Sequence, residues 1–345
     1  AERIIAEGRA DLCGITGAMI ADPEMPNKAA AGRADDIRAC IACNQACIGH
    51  FHLGFPISCI QHPETGRELA YGTRRPAAAG RKVLVAGGGP GGMKAAAVAA
   101  ERGHEVTLYE RTGQLGGQVL LAQLLPGRAE FGGLATNLAR EVAQAGVRVV
   151  RNTEVTPALI QRETPDAVIV ATGGRPRRPP VEGEADAHVV DAWQVLKGEA
   201  NVGKSVVVAD WRCDWIGLGI AEKLARDGCR VRLAVNGYMP GEMIHRYVRD
   251  QWVGTLHKLG VEVIPYARLY GVDAQTVYLQ HATSGEAILC EDVDTLVLAQ
   301  GHDREATLGD ALEDYAGELH VIGDCLAART AEEAVLEGLK AGTAV

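Results

Sequence analysis

The chain has 345 residues, 47% of them hydrophobic and 23% charged, a balance that suits two or three packed domains and excludes a disordered chain. Its net charge of −9 offers no attraction to nucleic acid or anionic lipid, and no apolar run approaches the ~18–20 residues that span a bilayer. Forty-two glycines against 4% aromatics fit a chain with many tight strand-to-helix turns.

Ala1–Glu7 reads as the tail of an amphipathic helix stopped by Gly8 and Arg9, and Ala10–Ile15 as a short apolar strand. A domain rarely opens in mid-helix. With no initiating Met, basic n-region or apolar h-region, the expectation is a fragment or processed chain of a longer cytoplasmic protein, without a secretory signal. Asp22-Pro23 introduces a helix over Met25–Ala31, closed by Gly32. From Cys40 to about Leu69 the chain is rich in His, Gly, Pro and Asn, as a loop folded around a metal centre would be, and Gly72–Gly80 reads as a linker.

An α/β rhythm follows. Lys82–Ala86 is predicted as a strand, Gly91–Arg102 as a helix, Glu105–Glu110 as a strand, Phe131–Ala145 as a helix, and Val147–Arg151 and Val168–Ala171 as strands. A second unit repeats it, with strands at Ser205–Ala209, Arg230–Val235 and Val261–Pro265 and helices at Gly217–Asp227 and Tyr247–Lys258. Val277–Leu279 and Ile288–Cys290 form an antiparallel excursion around Ser284-Gly285. Thr295–Ala299 and Leu319–Ile322 are strands, and Ala331–Gly338 opens the last helix. Two successive βαβ units indicate two doubly wound, Rossmann-like domains.

Four of the nine cysteines form the run Cys40-x2-Cys43-x3-Cys47-x11-Cys59. Three thiolates so close in sequence converge only if the backbone curls around one centre, and the fourth completes the ligand set of a 4Fe-4S cluster. Structural zinc is the competing reading, although its sites more often show two paired Cys-x2-Cys halves. An odd cysteine total with one tight group indicates a metal site in a reducing compartment, not a disulfide framework. His50, His52 and His62 lie nearby, but a full set of four cysteines makes them supporting or exposed groups.

The strand Val83–Ala86 runs into Gly87-Gly88-Gly89-Pro90-Gly91-Gly92 and then a helix, the context in which G-x-G-x-x-G binds a dinucleotide. Gly87 permits the turn, Gly89 lets a pyrophosphate approach the backbone, and Gly92 lets helix and strand pack closely. Glu110, ending the next strand, is the expected ribose carboxylate, with Arg111 and Gln118 following it in the candidate site. Ala171-Thr172-Gly173 and Gly323-Asp324 end two further strands in the manner of a flavin site; their bland alternatives are a tight turn and a helix-capping Asp. The ligand stays open between FAD and ADP. In the second unit Asp210, Arg212 and Trp215 replace the three glycines, and the following strand ends in Asn236 instead of an acid. Asp210 is expected to repel phosphate and Trp215 to wedge helix and strand apart, leaving a degenerate NAD(P)-binding-like domain.

These motifs together resemble the C-terminal part of the iron–sulfur flavoproteins that join an Old Yellow Enzyme-type barrel to a disulfide-reductase-like module, among them trimethylamine and dimethylamine dehydrogenases, N-methyl amino acid demethylases and 2,4-dienoyl-CoA reductase. The resemblance implies the end of a (β/α)8 barrel at 1–38, the cluster segment at 39–71, an FAD- or ADP-binding domain at 80–180 and 300–345, and the degenerate domain at 181–299. It matches Ala10–Ile15 and Ile20–Pro23 to the last barrel strand and helix, and Asn44-Gln45 to the cluster loop. The replaced glycines, and Ile322–Asp324 with Arg329, resemble the amine dehydrogenase branch. Relatives usually carry an arginine that contacts the FMN phosphate where this chain has Gly17. FMN is implied in the barrel portion, in the same or a separate chain, together with an oligomer and an electron-transfer flavoprotein or similar acceptor. The implied function is electron transfer for an amine dehydrogenase or demethylase. An NAD(P)H-dependent enoate or dienoyl-CoA reductase and a non-catalytic nucleotide- and cluster-binding subunit are the alternatives. No catalytic residue is identifiable.

Overall fold

The computed structural model describes residues 1–345. Its frame is a pair of five-stranded parallel sheets, each with apolar side chains on both faces. The first contains β1 (Lys82–Ala86), β2 (Glu105–Tyr109), β3 (Arg148–Val150), β4 (Ala167–Val170) and, after a long excursion, β13 (Glu318–Val321), in the order β13-β4-β1-β2-β3. The second contains β5 (Val189–Asp191), β6 (Ser205–Asp210), β7 (Arg230–Val235), β8 (Glu262–Ile264) and β12 (Thr295–Ala299), in the order β5-β12-β6-β7-β8.

Continuous apolar runs such as Val83–Ala86 and Val206–Ala209 suit strands covered on both sides. Val83 and Val85 enter one core while Leu84 and Ala86 enter the opposite one, and Val206 and Val208 are likewise separated from Val207 and Ala209. Helices α5 (Pro90–Glu101) and α6 (Gly132–Gln144) cover the first sheet, and α7 (Trp215–Arg226) and α8 (Arg246–Lys258) the second. The antiparallel excursion forms as expected, but with three strands: β9 (Ala267–Val272), β10 (Val277–His281) and β11 (Ala287–Cys290). The last helix, α9 (Ala331–Ala344), packs along α5 so closely that a Cβ on Gly338 would stand 2.3 Å from the Gly91 carbonyl oxygen.

The N-terminal segment differs from expectation. Helices α1 (Glu2–Ala6), α2 (Thr16–Ala21) and α3 (Met25–Ala30) form, whereas Ala10–Ile15 has no strand structure and Leu12 is 86% exposed. A strand needs a neighbouring strand to take its backbone hydrogen bonds, and this segment has none. The cysteine segment is more ordered than a plain loop: a π-helical turn over Gln45–Gly49 follows Asn44 at φ 55° and continues into α4 (His50–Leu53). No helix is long and apolar enough to cross a membrane.

Candidate functional site

The turn after β1 is shaped by backbone approaches that only glycine tolerates. Gly87 has φ +111°, and a Cβ there would lie 2.3 Å from the Ala171 carbonyl oxygen. A Cβ on Gly92 would lie 1.9 Å from the Gly87 oxygen, so α5 leaves directly beneath the turn. Gly89, in contrast, faces open space, with nothing within 4 Å of an added Cβ. Pro90 begins α5, where its missing N–H would have no intrahelical acceptor.

Buried Glu110 braces this turn. One carboxylate oxygen accepts from the Gly88 amide at 2.8 Å, and the other from the Thr112 amide and hydroxyl at 2.7 and 2.8 Å. A carboxylate has about four lone-pair sites, so these three donors leave one acceptor position open. On the far side Thr172 donates to the Glu305 carbonyl at 2.9 Å, and Gly173 adopts φ +82°. Asp324 accepts from the Gln118 amide group at 2.8 Å and from the Arg329 backbone at 3.1 Å, while Gly323 donates to Glu337 at 2.6 Å. Glu337 in turn pairs with the Arg329 guanidinium.

Apart from Glu337, these groups line one cavity of about 980 Å³. Of the sequence-derived nucleotide residues, Gly87, Gly89, Pro90, Glu110, Arg111, Gln118, Ala171, Thr172, Gly173, Gly323 and Asp324 all lie on its wall, and Gly92 packs behind it. The cavity extends past Asp324 to Arg128, Trp215 and Gln45, the last of these inside the cysteine segment. Sequence reasoning did not foresee Arg128 or the cavity-lining role of Gln45. Arg128 could have been suspected as a cation in the otherwise uncharged stretch from Gln114 to Ala129.

The second unit corrects one expectation. Trp215 does not wedge helix and strand apart; it lies against Arg128, Trp252 and His245 on the cavity side. The close approach is made two residues later by Gly217, where a Cβ would meet the Asp210 carboxylate at 2.1 Å. Asp210 takes the turn amides of Arg212 and Cys213 at 3.1 and 2.9 Å and leaves its other oxygen without a partner. Burial, reinforced by Asp214, pushes the Asp210 carboxyl well above the ordinary carboxylate range. A side-chain acceptor therefore occupies the amides that a phosphate would use.

Cys40, Cys43, Cys47 and Cys59 are free thiols on the segment that closes the cavity's far end, with Cys43 buried. No three His, Cys, Asp or Glu side chains are grouped as ligands of a single ion. The Cys40 and Cys59 sulfurs accept from the Ala42 and Gln61 amides at 3.4 Å. Burial pushes the Cys43 thiol up to about 12 and raises Cys59 as well, and the other cysteine sulfurs add to both effects. The nearby histidines have partners elsewhere in the chain. His62 bonds Thr65 at 2.8 Å, His50 pairs with Glu332 at 3.1 Å, and His52 meets the Tyr247 hydroxyl at 2.5 Å.

Buried charges tie this segment to the first sheet. Lys94, within α5, reaches Glu141 of α6 at 2.7 Å and Glu64 at 4.0 Å, and Arg38 also pairs with Glu141 at 2.7 Å. Burial opposes ionisation of Glu64, yet Lys94, His62 and Arg74 outweigh it and hold the carboxyl down at about 2.

The family model described as pyridine nucleotide-disulphide oxidoreductase matches residues 81–313. The chain is 32% identical to a metal reductase of Desulforamulus reducens, over 97% of this chain and 54% of that protein. It is also 32% identical to an N,N-dimethylglycine/sarcosine dehydrogenase of Chromohalobacter salexigens, over 99% and 55%. Among solved structures, a 2-naphthoyl-CoA reductase superposes with a TM-score of 0.92 at 31% identity, covering 100% of this chain and 52% of that one. The chain thus spans about half the length of the relatives it matches.

Proposed function

Since the chain belongs to the pyridine nucleotide-disulphide oxidoreductase family, within the group of flavoprotein amine dehydrogenases, demethylases and enoate reductases, we propose that it is the electron-transfer portion of an amine dehydrogenase or N-demethylase. Its substrates would be of the dimethylglycine or N-methylproline type, oxidised at FMN in a barrel portion carried by the same or a separate chain. Electrons would pass through a 4Fe-4S cluster on Cys40, Cys43, Cys47 and Cys59 to an electron-transfer flavoprotein. The observation that carries this reading is the continuity of one cavity from Glu110 to Gln45, because it joins the nucleotide turn to the cysteine segment.

The donor set fits the cluster. Four thiols suit iron–sulfur or zinc, and amides donating to the Cys40 and Cys59 sulfurs are of the kind that tune a cluster. A single zinc would draw all four sulfurs within about 4 Å of one another, whereas a cube offers each thiolate its own iron. The pocket also fits a dinucleotide. Its volume lies at the upper end of the ~300–1,000 Å³ usual for small-molecule sites, and it continues beyond the Gly323–Asp324 turn, which favours FAD over ADP. A flavin bound there would convert between one- and two-electron transfer. The chain's own work is to cradle the pyrophosphate at Gly87–Gly91, hold the ribose at Glu110, and orient the remainder with Gln118 and Asp324.

An NAD(P)H-dependent reductase is the second reading, favoured by the reductases among the relatives. Asp210 on the turn amides opposes it. The two readings separate on anaerobic mixing with NADH or NADPH while flavin absorbance is followed. The dehydrogenase reading predicts no bleaching over minutes, and stoichiometric bleaching within seconds would replace it with the reductase.

A further inference from the structure

Arg128 stands where the nucleotide cavity meets the cysteine segment. Its guanidinium lies 4.2 Å from the centroid of the Phe131 ring and 3.9 Å from that of Trp215, so the planar cation is held against two aromatic faces. It shares the cavity wall with Gln45, which sits between Cys43 and Cys47 in sequence, and Phe131 belongs to the same apolar core as Cys43. Other cations behind this segment have carboxylate partners: Arg38 and Lys94 on Glu141, and Arg74 on Glu64. Arg128 makes no ion pair and no side-chain hydrogen bond within the chain.

We propose that Arg128 is a positioning residue whose fixed positive charge, clamped between Phe131 and Trp215, raises the affinity of the cysteine-ligated centre for an electron. The inference rests on the reading that Cys40, Cys43, Cys47 and Cys59 hold a 4Fe-4S cluster. When such a cluster takes up one electron it gains one negative charge beside four thiolates. A neighbouring cation then stabilises the reduced form more than the oxidised form, and the attraction is strong where protein and aromatic rings displace water. A carboxylate partner would cancel the field, and Arg128 has none. Arginine suits the position because it stays charged when partly desolvated and stacks flat on rings, which a lysine ammonium cannot do. The consequence is a centre that retains an electron arriving from the flavin side until an acceptor takes it.

The test uses the full chain purified anaerobically as parent, Arg128→Gln and Arg128→Lys. Iron and acid-labile sulfide are counted first; dithionite then supplies electrons one at a time while electron paramagnetic resonance follows the reduced cluster. At a fixed ambient potential the reduced-to-oxidised ratio in Arg128→Gln should fall at least tenfold, a shift of 59 mV for one electron. Arg128→Lys, which keeps the charge, should stay much closer to the parent. Arg128→Met, which preserves side-chain length and apolar contact with the rings, carries the same expectation as the Gln variant and serves if that variant loses iron. A fully loaded Gln or Met variant with the parental potential overturns the role of Arg128 alone. Parent protein without iron overturns the cluster reading and this inference together.

Discussion

Gly89 and Gly92 stand three residues apart, yet a side chain at each should fail differently. Nothing lies within 4 Å of a Cβ on Gly89, whereas one on Gly92 would sit 1.9 Å from the Gly87 oxygen. Gly89→Val should therefore leave thermal stability near that of the parent while nucleotide released on heating drops to background. Gly92→Ala should cost roughly 1–3 kcal/mol of stability, the usual scale of overpacking. Unchanged nucleotide content in Gly89→Val would refute the pyrophosphate assignment. Asp210 gives a prediction in pH. Burial, with Asp214, lifts its carboxyl above the ordinary value of 3.8, so the folded chain keeps this proton after the unfolded chain has lost it. Stability must then fall as pH rises from the ordinary carboxylate range through the raised folded value. Asp210→Asn should flatten that slope and be at least as stable as the parent at neutral pH. Thermal unfolding across a pH series checks this, and a lower melting temperature for the variant at pH 7 would contradict it.

At the scale of elements, the parts legible in the sequence were those whose pattern states a local physical requirement. The uninterrupted apolar runs of β1, β6 and β12 and the glycine turn before α5 are of this kind, and they appear within a residue or two of expectation. The expected strand at Ala10–Ile15 did not form because no strand of the chain's sheets lies beside it, and sequence alone does not show who pairs with whom. Two helices were legible and missed: Thr156-Pro157 opens one over Pro157–Glu163, and Asp191 and Gln194 form a capping box for Ala192–Lys197. β9 was missed for the opposite reason, since its alternation is too weak to stand out from its loop. Trp215 was misplaced because the registers of a degenerate turn and of an intact glycine motif differ, and Gly217 takes over the contact. The α5–α9 pairing is a further element-level feature. Gly338 and Gly342 bring the two backbones together, and the start of α9 lines the cavity at Thr330, Ala331 and Ala334. Gly338→Ala should push α9 outward, lowering stability by roughly 1–3 kcal/mol and weakening nucleotide retention with it. A stable variant with parental nucleotide content would show that the close approach is not what shapes the pocket.

At the scale of the whole molecule, the two ends of the cavity belong to different parts of the sequence. Glu110 and the glycine turn follow strands of the first sheet, Gln45 belongs to the cysteine segment, and Trp215 opens α7 beside the second sheet, so residues 170 positions apart share one wall. Each motif was legible in isolation, but the junction at Arg128 was not, because its meaning depends on Phe131 and Trp215 arriving from different elements. The buried network of Lys94, Glu141, Arg38 and Glu64 fixes that junction by tying the cysteine segment to α5 and α6. The account depends most on what the four cysteines hold. Metal and sulfide analysis of anaerobically purified protein measures this directly: it should return about four iron and four acid-labile sulfides per chain, as a four-iron cube requires, and about one zinc with no iron would contradict it.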